Sequence, residues 1–171
     1  MKQWRAAEAQ LGVRLPQDYR EFIFTYGSGL FAGNYVIYNP FSSSKHIRLL
    51  DRVKQVSEIN RYWKQKYGDK EMPYAVYPEK DAILPWGRDY NGNDYYWLTA
   101  GAPSKWKVVQ NNVRGSGFVK HNCNMTGFLA GILEGRIQPL IGDFPNSESF
   151  VFQAYQPKKR HPKRSTKTRP S

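Results

Sequence analysis

Two acidic residues, Asp89 and Asp94, lie five positions apart in the stretch "LPWGRDYNGNDYYWLT", between Leu84 and Thr99. Paired carboxylates could bind a metal ion, act as general acid and base on a glycoside, or receive a basic side chain of a partner. A calcium loop starting at Asp89 would need Gly at its sixth position and Glu at its twelfth, where Asp94 and Ala100 stand. The calcium site is therefore excluded, and nothing marks a sugar cleft. The two acids are best interpreted as solvated residues of a turn, while a contact with a basic side chain of a partner and a catalytic pair both stay open.

The chain also contains three histidines and one cysteine, Cys123, whose side chains can bind metals or act in nucleophilic catalysis. No histidine is near the two aspartates in the sequence, and one cysteine cannot build a zinc site. His121 and Cys123 would share a strand face and could form a nucleophilic pair, but a buried thiol beside a surface histidine is the preferred interpretation. The chain has no P-loop, dinucleotide-binding or nucleophile-elbow motif. We therefore predict no catalytic residue, no metal, no cofactor and no enzymatic activity.

The Asn91-Gly92 pair between strand-forming residues is the strongest short signal for a β-hairpin. A two-residue loop would place Asp89 opposite Asp94, which is an unfavourable pair of like charges. A three-residue loop ending at Asn93 would place Asp89 opposite Tyr95 instead, and it is the preferred alternative.

The second strand of this hairpin alternates between two faces, one carrying Tyr95 and Trp97 and the other carrying Asp94 and Tyr96. One face must pack on the core. The other face either exposes large aromatic side chains to a partner or is covered by further helices, and the sequence leaves both alternatives open.

Hydrophobic periodicity and turn residues predict the elements around the hairpin. Helices are predicted at Gln3–Leu11, between Pro16 and Gly27, at Ile47–Tyr67, and late in the chain with Thr126 as its N-cap. The third helix has a stripe that includes Leu49, Val53, Val56, Asn60 and Trp63. Strands are predicted at Gly33–Phe41, in the hairpin, in "KWKVVQNN" and "GFVKHN", and at Ser149–Tyr155. This order predicts an α+β fold with a mostly antiparallel sheet of about five to six strands flanked by helices.

The charge is distributed unevenly along the 171 residues. Residues 157–171 contain seven of the 26 Lys and Arg residues and none of the 14 acids, so the rest of the chain carries a net charge of +5. We predict one domain, residues 1–156, and a disordered basic tail, residues 157–171. The tail could be a solvated end, contact nucleic acid weakly, or act as a nuclear import signal.

Location can also be predicted from composition. No apolar run approaches the ~18 residues that a membrane helix needs, and the N-terminal segment lacks the apolar core of a signal peptide. A single cysteine is compatible with a reducing compartment. We therefore predict a cytoplasmic protein that does not engage a membrane.

Two motifs in this order resemble the SUKH superfamily of SMI/KNR-type domains. The first motif is "LGVRLPQDYREFIFTYGSG", and the second lies some sixty residues later in "ILPWGRDYNGNDYYWLT". The resemblance covers roughly Trp4 to Arg136. The matching positions are Leu11, Gly12, Leu15, Pro16, Asp18, Tyr19, Phe22, Tyr26, Gly27, Gly29, Gly87, Asp89, Gly92 and Tyr95.

The resemblance implies an α+β fold, no catalysis, and binding to another protein. Many bacterial members resemble immunity proteins that neutralise a secreted polymorphic toxin, often a nuclease, and fungal members resemble interaction hubs in cell-wall regulation. An inhibitor that fills the basic active site of a nuclease usually presents acidic groups, whereas this chain is positively charged. A toxin with an acidic surface, or a contact away from the toxin's active site, therefore stays open.

We therefore expect an immunity protein that binds a protein partner and no small-molecule substrate. An interaction adaptor of the same fold is one alternative, and a nucleic-acid-associated protein acting through its tail is another. The hairpin supplies the expected partner-binding residues, with aromatic rings as anchors and charges that fix orientation. They are Trp86, Arg88, Asp89, Tyr90, Asp94 and Tyr96.

Overall fold

A computed structural model describes residues 2–113, 117–138 and 152–155. Its helices are α1 (Lys2–Leu11), α2 (Gln17–Tyr26), α3 (Leu49–Tyr67) and α4 (Met125–Leu133), with a short 3-10 helix at Pro103–Lys105. Its strands are β1 (Gly29–Phe31), β2 (Tyr35–Ile37), β3 (Ile83–Asp89), β4 (Asp94–Leu98), β5 (Lys107–Asn112), β6 (Gly117–His121) and β7 (Gln153–Ala154). The tail at 157–171 lies outside the described residues, so the predicted domain limits stay a prediction.

The described strands form one sheet in the order β6-β5-β4-β3-β2-β1-β7, and each neighbouring pair is antiparallel. This confirms the predicted α+β class, with more strands than expected. The strand predicted at Gly33–Phe41 is present as β2, Tyr35–Ile37, but it is shorter than expected. Ala32 and Gly33 both have positive φ and turn the chain into a tight hairpin with β1, which the sequence did not predict. Of the strand predicted at Ser149–Tyr155, the described part forms the two-residue β7.

Helices cover both faces of the sheet. Buried residues of α2 and α4 join Trp97 of β4 in one core cluster. On the opposite face, Val56 of α3 joins Tyr96 of β4 and Val109 of β5 in a second cluster. No helix in the described ranges is long and apolar enough to cross a membrane.

The predicted alternation along β4 is confirmed, since Tyr95 and Trp97 pack in the first cluster and Tyr96 packs in the second. The alternative in which one face exposes large aromatics is wrong. Each of these three rings is at most 1% exposed, because a sheet sandwiched between helices needs large apolar side chains on both faces.

The helix ends show how distant segments are joined. Gly12 and Gly27 end α1 and α2 with positive φ, as their positions predict. The predicted N-cap at Thr126 is wrong, because the side chain of Asn124 caps α4 by accepting a hydrogen bond from the Gly127 N–H at 2.9 Å. Thr126 instead donates its N–H and hydroxyl to Asp18 Oδ2 at 3.1 and 3.2 Å, which ties α4 to the first turn of α2.

Buried tyrosines make stability sensitive to alkaline pH. Burial, reinforced by the charge of Asp89, raises the pKa of Tyr35 from 10 to about 12, and burial near Asp94 does the same for the pKa of Tyr38. A pKa that is higher in the folded state contributes stability that is complete below pH 10 and is lost between pH 10 and about 12. We expect the free energy of unfolding to fall by about 1.4 kcal/mol per pH unit for each of these tyrosines.

Urea denaturation between pH 8 and 11.5 measures this loss. The Tyr35→Phe variant should reduce the slope by the share of one tyrosine, about 1.4 kcal/mol per pH unit, because buried Tyr19, Tyr95 and Tyr96 also have raised pKa values. Tyr62→Phe, on the exposed side of α3, is the matched control and should leave the slope unchanged. Equal slopes for the protein and the Tyr35→Phe variant would contradict the assignment.

Candidate functional site

The β3–β4 hairpin closes with a three-residue loop, Tyr90 to Gly92. The Asp89 N–H donates to the Asn93 carbonyl at 3.0 Å, and the Gly92 N–H donates to the Asp89 carbonyl at 3.1 Å. The predicted loop length is correct, but the loop begins one residue earlier than expected. Gly92 supplies the positive φ that the last position of this loop requires. Neither predicted partner of Asp89 is correct, because Asp89 faces Asn93 and Asp94 pairs with Arg88.

Asp89 organises the hairpin from within. Its Oδ1 accepts the N–H groups of Asn91 and Asn93 at 2.9 Å each, and its Oδ2 accepts Asn93 Nδ2 and the Tyr95 hydroxyl at 2.8 Å each. The residue is only 4% exposed. Its carboxylate is therefore buried and engaged by its own hairpin rather than exposed as expected, and its part in partner binding stays a prediction.

Asp94 is also held by its own chain. Arg88 donates Nε and Nη2 to its two carboxylate oxygens at 2.8 Å each, which forms a bidentate pair across the two strands. Hydrogen bonding to Asp94 raises the pKa of Arg88. The basic side chain that was expected to come from a partner is therefore Arg88, on the neighbouring strand. The Arg88 guanidinium remains partly exposed beside a groove.

The two aromatic anchors predicted at Trp86 and Tyr96 are wrong as surface residues, because both side chains are completely buried. The pairing of β3 with β4 shifts between Pro85 and Gly87, so Trp86 is the extra residue of a β-bulge and turns its ring towards Phe128 of α4. The Tyr96 hydroxyl accepts Asn60 Nδ2 of α3 at 3.3 Å. Among the six predicted residues, Tyr90 is the most exposed, at 66%.

Arg88 and Asp94 line a groove of about 820 Å³ between the second half of α3, the following loop and the far strands of the sheet. Three apolar side chains at the groove stay substantially exposed: Ile59 at 43%, Trp63 at 45% and Val113 at 51%. The remaining lining residues are Asn60, Lys70, Glu71, Met72, Pro73, Tyr74, Asn111, Asn112, Gly117 and Phe118.

The sequence prediction missed this groove because it placed Trp63 on the buried stripe of α3. A second stripe was present in the sequence, with Ile59, Tyr62, Trp63 and Tyr67 at spacings of three, four and eight residues. The rings of Trp63 and Tyr67 stack at 4.8 Å, and Lys66 Nζ lies 5.5 Å and 5.0 Å from the ring centroids of Tyr62 and Tyr67. An aromatic and cationic strip therefore borders the groove.

The geometry gives little support to nucleophilic chemistry. His121 Nε2 lies 3.0 Å from Gln110 Oε1, and Gln110 donates to the Tyr95 hydroxyl at 3.3 Å, so the imidazole is part of a network that reaches Asp89. Burial raises the pKa of the Cys123 thiol and lowers that of His121. Both shifts disfavour the thiolate–imidazolium pair that nucleophilic cysteines use. In the ranges that the structure describes, no three His, Cys, Asp or Glu side chains gather as a metal site.

The second motif that resembles SUKH proteins builds this hairpin. Gly87 has no side chain because a Cβ there would lie 2.9 Å from the Val36 carbonyl oxygen of β2. Gly92 closes the loop, and the Tyr95 hydroxyl donates to Asp89 inside the sheet. The motif residues are therefore structural, and the accessible features beside them are Tyr90 and the groove.

Comparison with known proteins agrees with this geometry. The family model SUKH_6, described as SMI1-KNR4 cell-wall, matches residues 1–122, which is well over half of the chain. Among curated proteins none matches the chain, and neither does any solved structure. The match spans both motifs, α1 to α3 and the sheet as far as β6. The chain therefore belongs to the SUKH superfamily, in its SMI1-KNR4 family.

Proposed function

We propose that this protein is a non-catalytic, protein-binding domain that acts as an immunity protein, binding and neutralising a cognate polymorphic toxin in the cytoplasm. Membership of the SUKH superfamily is compatible with binding another protein. The observation that carries the proposal is the groove, which is lined both by three exposed apolar side chains and by the Arg88–Asp94 pair.

This combination is typical of binding surfaces. Trp, Tyr and Arg are enriched among the residues that dominate binding energy, and they act best in pockets that a partner can dry out. Trp63 and Arg88 meet at the groove, and Tyr67 stacks on Trp63 beside it. Tyr90, at the tip of the hairpin, offers a further exposed ring.

A non-catalytic role is supported by how the polar side chains are used. The carboxylates of Asp89 and Asp94 are engaged within the hairpin, and His121 is engaged with Gln110. A general acid or base must reach the proton that it transfers. The groups that the sequence nominated for catalysis therefore serve the fold.

The charge favours particular modes of inhibition. Outside residues 157–171 the net charge is +5, whereas a plug for a basic nuclease active site would present acids. The balance agrees better with a toxin that has an acidic face, or with contact away from the toxin's active site.

Two other functions are compatible with the same fold. An interaction adaptor that has no cognate toxin would use the same groove. The gene neighbourhood distinguishes the two roles, because a toxin gene beside this gene favours immunity and an isolated gene favours an adaptor. The tail, with seven basic residues and no acid, supports a nucleic-acid-associated role instead. In that case deletion of residues 157–171 should abolish nucleic-acid binding, which should also weaken steeply as salt increases.

Co-expression with the toxin encoded beside this gene is the direct test of immunity. We expect the protein to restore growth against that toxin and not against an unrelated one. The Trp63→Ala variant should weaken toxin binding by about 30-fold or more, the usual loss at a dominant interface residue. Because Trp63 is half exposed, the free energy of unfolding of the Trp63→Ala variant should differ from that of the wild type by less than about 1 kcal/mol.

Phe24→Ala is the matched control, since Phe24 is an 89% exposed ring on α2, in the opposite helical layer. Its binding should be unchanged in titration calorimetry with the toxin domain. Unchanged toxicity in the presence of the wild-type protein would refute the immunity role.

A further inference from the structure

We propose that the groove binds an acidic segment of the partner protein that carries one bulky apolar anchor. The proposal rests on the protein-binding role above and specifies the chemistry of its partner. It follows from the shape of the groove, the charges left around it, and the free side of the Arg88 guanidinium.

The apolar part of the groove is built from two walls. Ile59 and Trp63 come from α3, whereas Val113 follows β5 and Phe118 lies in β6. Met72, from the segment after α3, also lines the groove. Phe118 packs against Tyr74 and Tyr96, so its position is fixed before a partner arrives. A preformed apolar cleft gains most from a large apolar side chain that displaces its water.

Near the groove, four charged side chains form two ion pairs, and the charges cancel within each pair. Arg88 pairs with Asp94, and Lys64 Nζ lies 2.7 Å from Asp69 Oδ1. Lys64 Nζ also donates to the carbonyl oxygens of Met72 at 3.2 Å and Tyr74 at 3.0 Å. These four charges are therefore committed within the molecule.

The charges that remain around the groove are predominantly positive. Lys70 lines it and Lys66 lies on the adjacent strip, while Lys120 lies two residues along β6 from Phe118, on the same face of that strand. Against these three cations stand two acids, Glu71 in the groove and Glu58 beside Ile59 on α3. Complementary charge speeds encounter and rejects partners of like charge, so a segment with net negative charge fits best.

Arg88 adds direction to this attraction. It donates Nε and Nη2 to Asp94. Within the described residues Nη1 donates no hydrogen bond, and the arginine borders the groove. A guanidinium fixed by one carboxylate is well placed to donate its remaining N–H groups to a carbonyl or second carboxylate of a bound segment.

A single-stranded nucleic acid is the competing occupant, because Tyr62, Trp63 and Tyr67 could stack on bases beside Lys66. The groove also has apolar walls, which include Ile59, Val113 and Phe118 and which fit an aliphatic or aromatic side chain better than a sugar–phosphate backbone. The groove therefore favours a protein segment.

Selection from a random phage-displayed library of 12-residue peptides on the full-length protein tests the proposal. Peptides that also bind the Trp63→Ala/Lys70→Glu double variant are subtracted. We expect the remaining sequences to be net negative and to contain at least one bulky apolar residue. A synthetic peptide of the enriched sequence should bind the Lys70→Glu variant at least tenfold more weakly and the Phe24→Ala control unchanged, with circular dichroism confirming the fold of each.

Several outcomes would overturn the proposal. They are no enriched peptides, enriched peptides that are neutral or basic, or binding that the groove variants leave unchanged. Equally strong competition by a dT20 oligonucleotide would assign the groove to nucleic acid. The immunity role fails separately: if the wild type and the double variant neutralise the toxin equally, only the groove assignment falls, whereas failure of the wild type removes the immunity role alone.

Discussion

Replacing Asp89 by alanine is expected to lower the free energy of unfolding by about 4 kcal/mol. The carboxylate accepts four hydrogen bonds, from Asn91, Asn93 and Tyr95. Asn93 and Tyr95 are at most 1% exposed, so their donors would lose a partner away from water. Each buried donor left without a partner costs about 1–3 kcal/mol. Two or three such donors account for the expected loss.

Urea denaturation of Asp89→Ala and Asp89→Asn measures this effect. The asparagine variant keeps the shape and one acceptor oxygen, so its loss should be smaller, about 2 kcal/mol. Asp51→Ala is the matched control, because Asp51 is a half-exposed acid of α3 that pairs with Arg48 and should lose less than about 0.5 kcal/mol. A loss below 1 kcal/mol for Asp89→Ala would show that the hairpin does not depend on this carboxylate.

Replacing Trp86 by alanine should also lower the free energy of unfolding by about 4 kcal/mol, which is typical when a large buried aromatic is removed. The ring lies 5.5 Å from Tyr95, 6.3 Å from Trp97 and 6.1 Å from Phe128, between centroids, at the contact of the sheet with α4. Its loss would open a cavity where the β-bulge meets the helix.

Trp86→Phe is the informative companion variant. The indole Nε1 is buried and makes no hydrogen bond in the described structure, so phenylalanine removes area but no polar contact. We expect a loss of about 1.5 kcal/mol, measured by the same urea titration. The phenylalanine variant should keep partner affinity unchanged. Lost affinity in a stable, folded Trp86→Phe protein would return this residue to the interface that the sequence predicted.

Local signals in the sequence were sufficient for most of the fold. Gly12 and Gly27 correctly predicted the ends of α1 and α2, and the period-two alternation correctly predicted the two faces of β4. The geometry of these elements depends on residues that are close together in the sequence. Asn91-Gly92 correctly predicted a hairpin and a three-residue loop. These features are local, so a few residues are enough to specify them.

The site was harder to predict because it depends on contacts between distant segments. A shift of one residue in the hairpin decides whether Asp94 faces Asp89 or Arg88, and both registers place acids at the turn. Trp63 fits the buried stripe of α3 by spacing, yet the buried residues of α3 end at Asn60, which leaves Trp63 45% exposed at the rim. Only the packing of helix on sheet distinguishes these cases.

The inward direction of the Asp89 carboxylate has a consequence for how such a domain could change its partner. The glycines, the acid and the tyrosine of the hairpin motif are occupied with holding strands together. Other positions bear outward side chains that contribute little to holding the strands together, and they include Ile59, Lys70, Tyr90 and Val113. One scaffold can thus be redirected to new targets by substitutions at its rim, while the interior that folds it is left untouched.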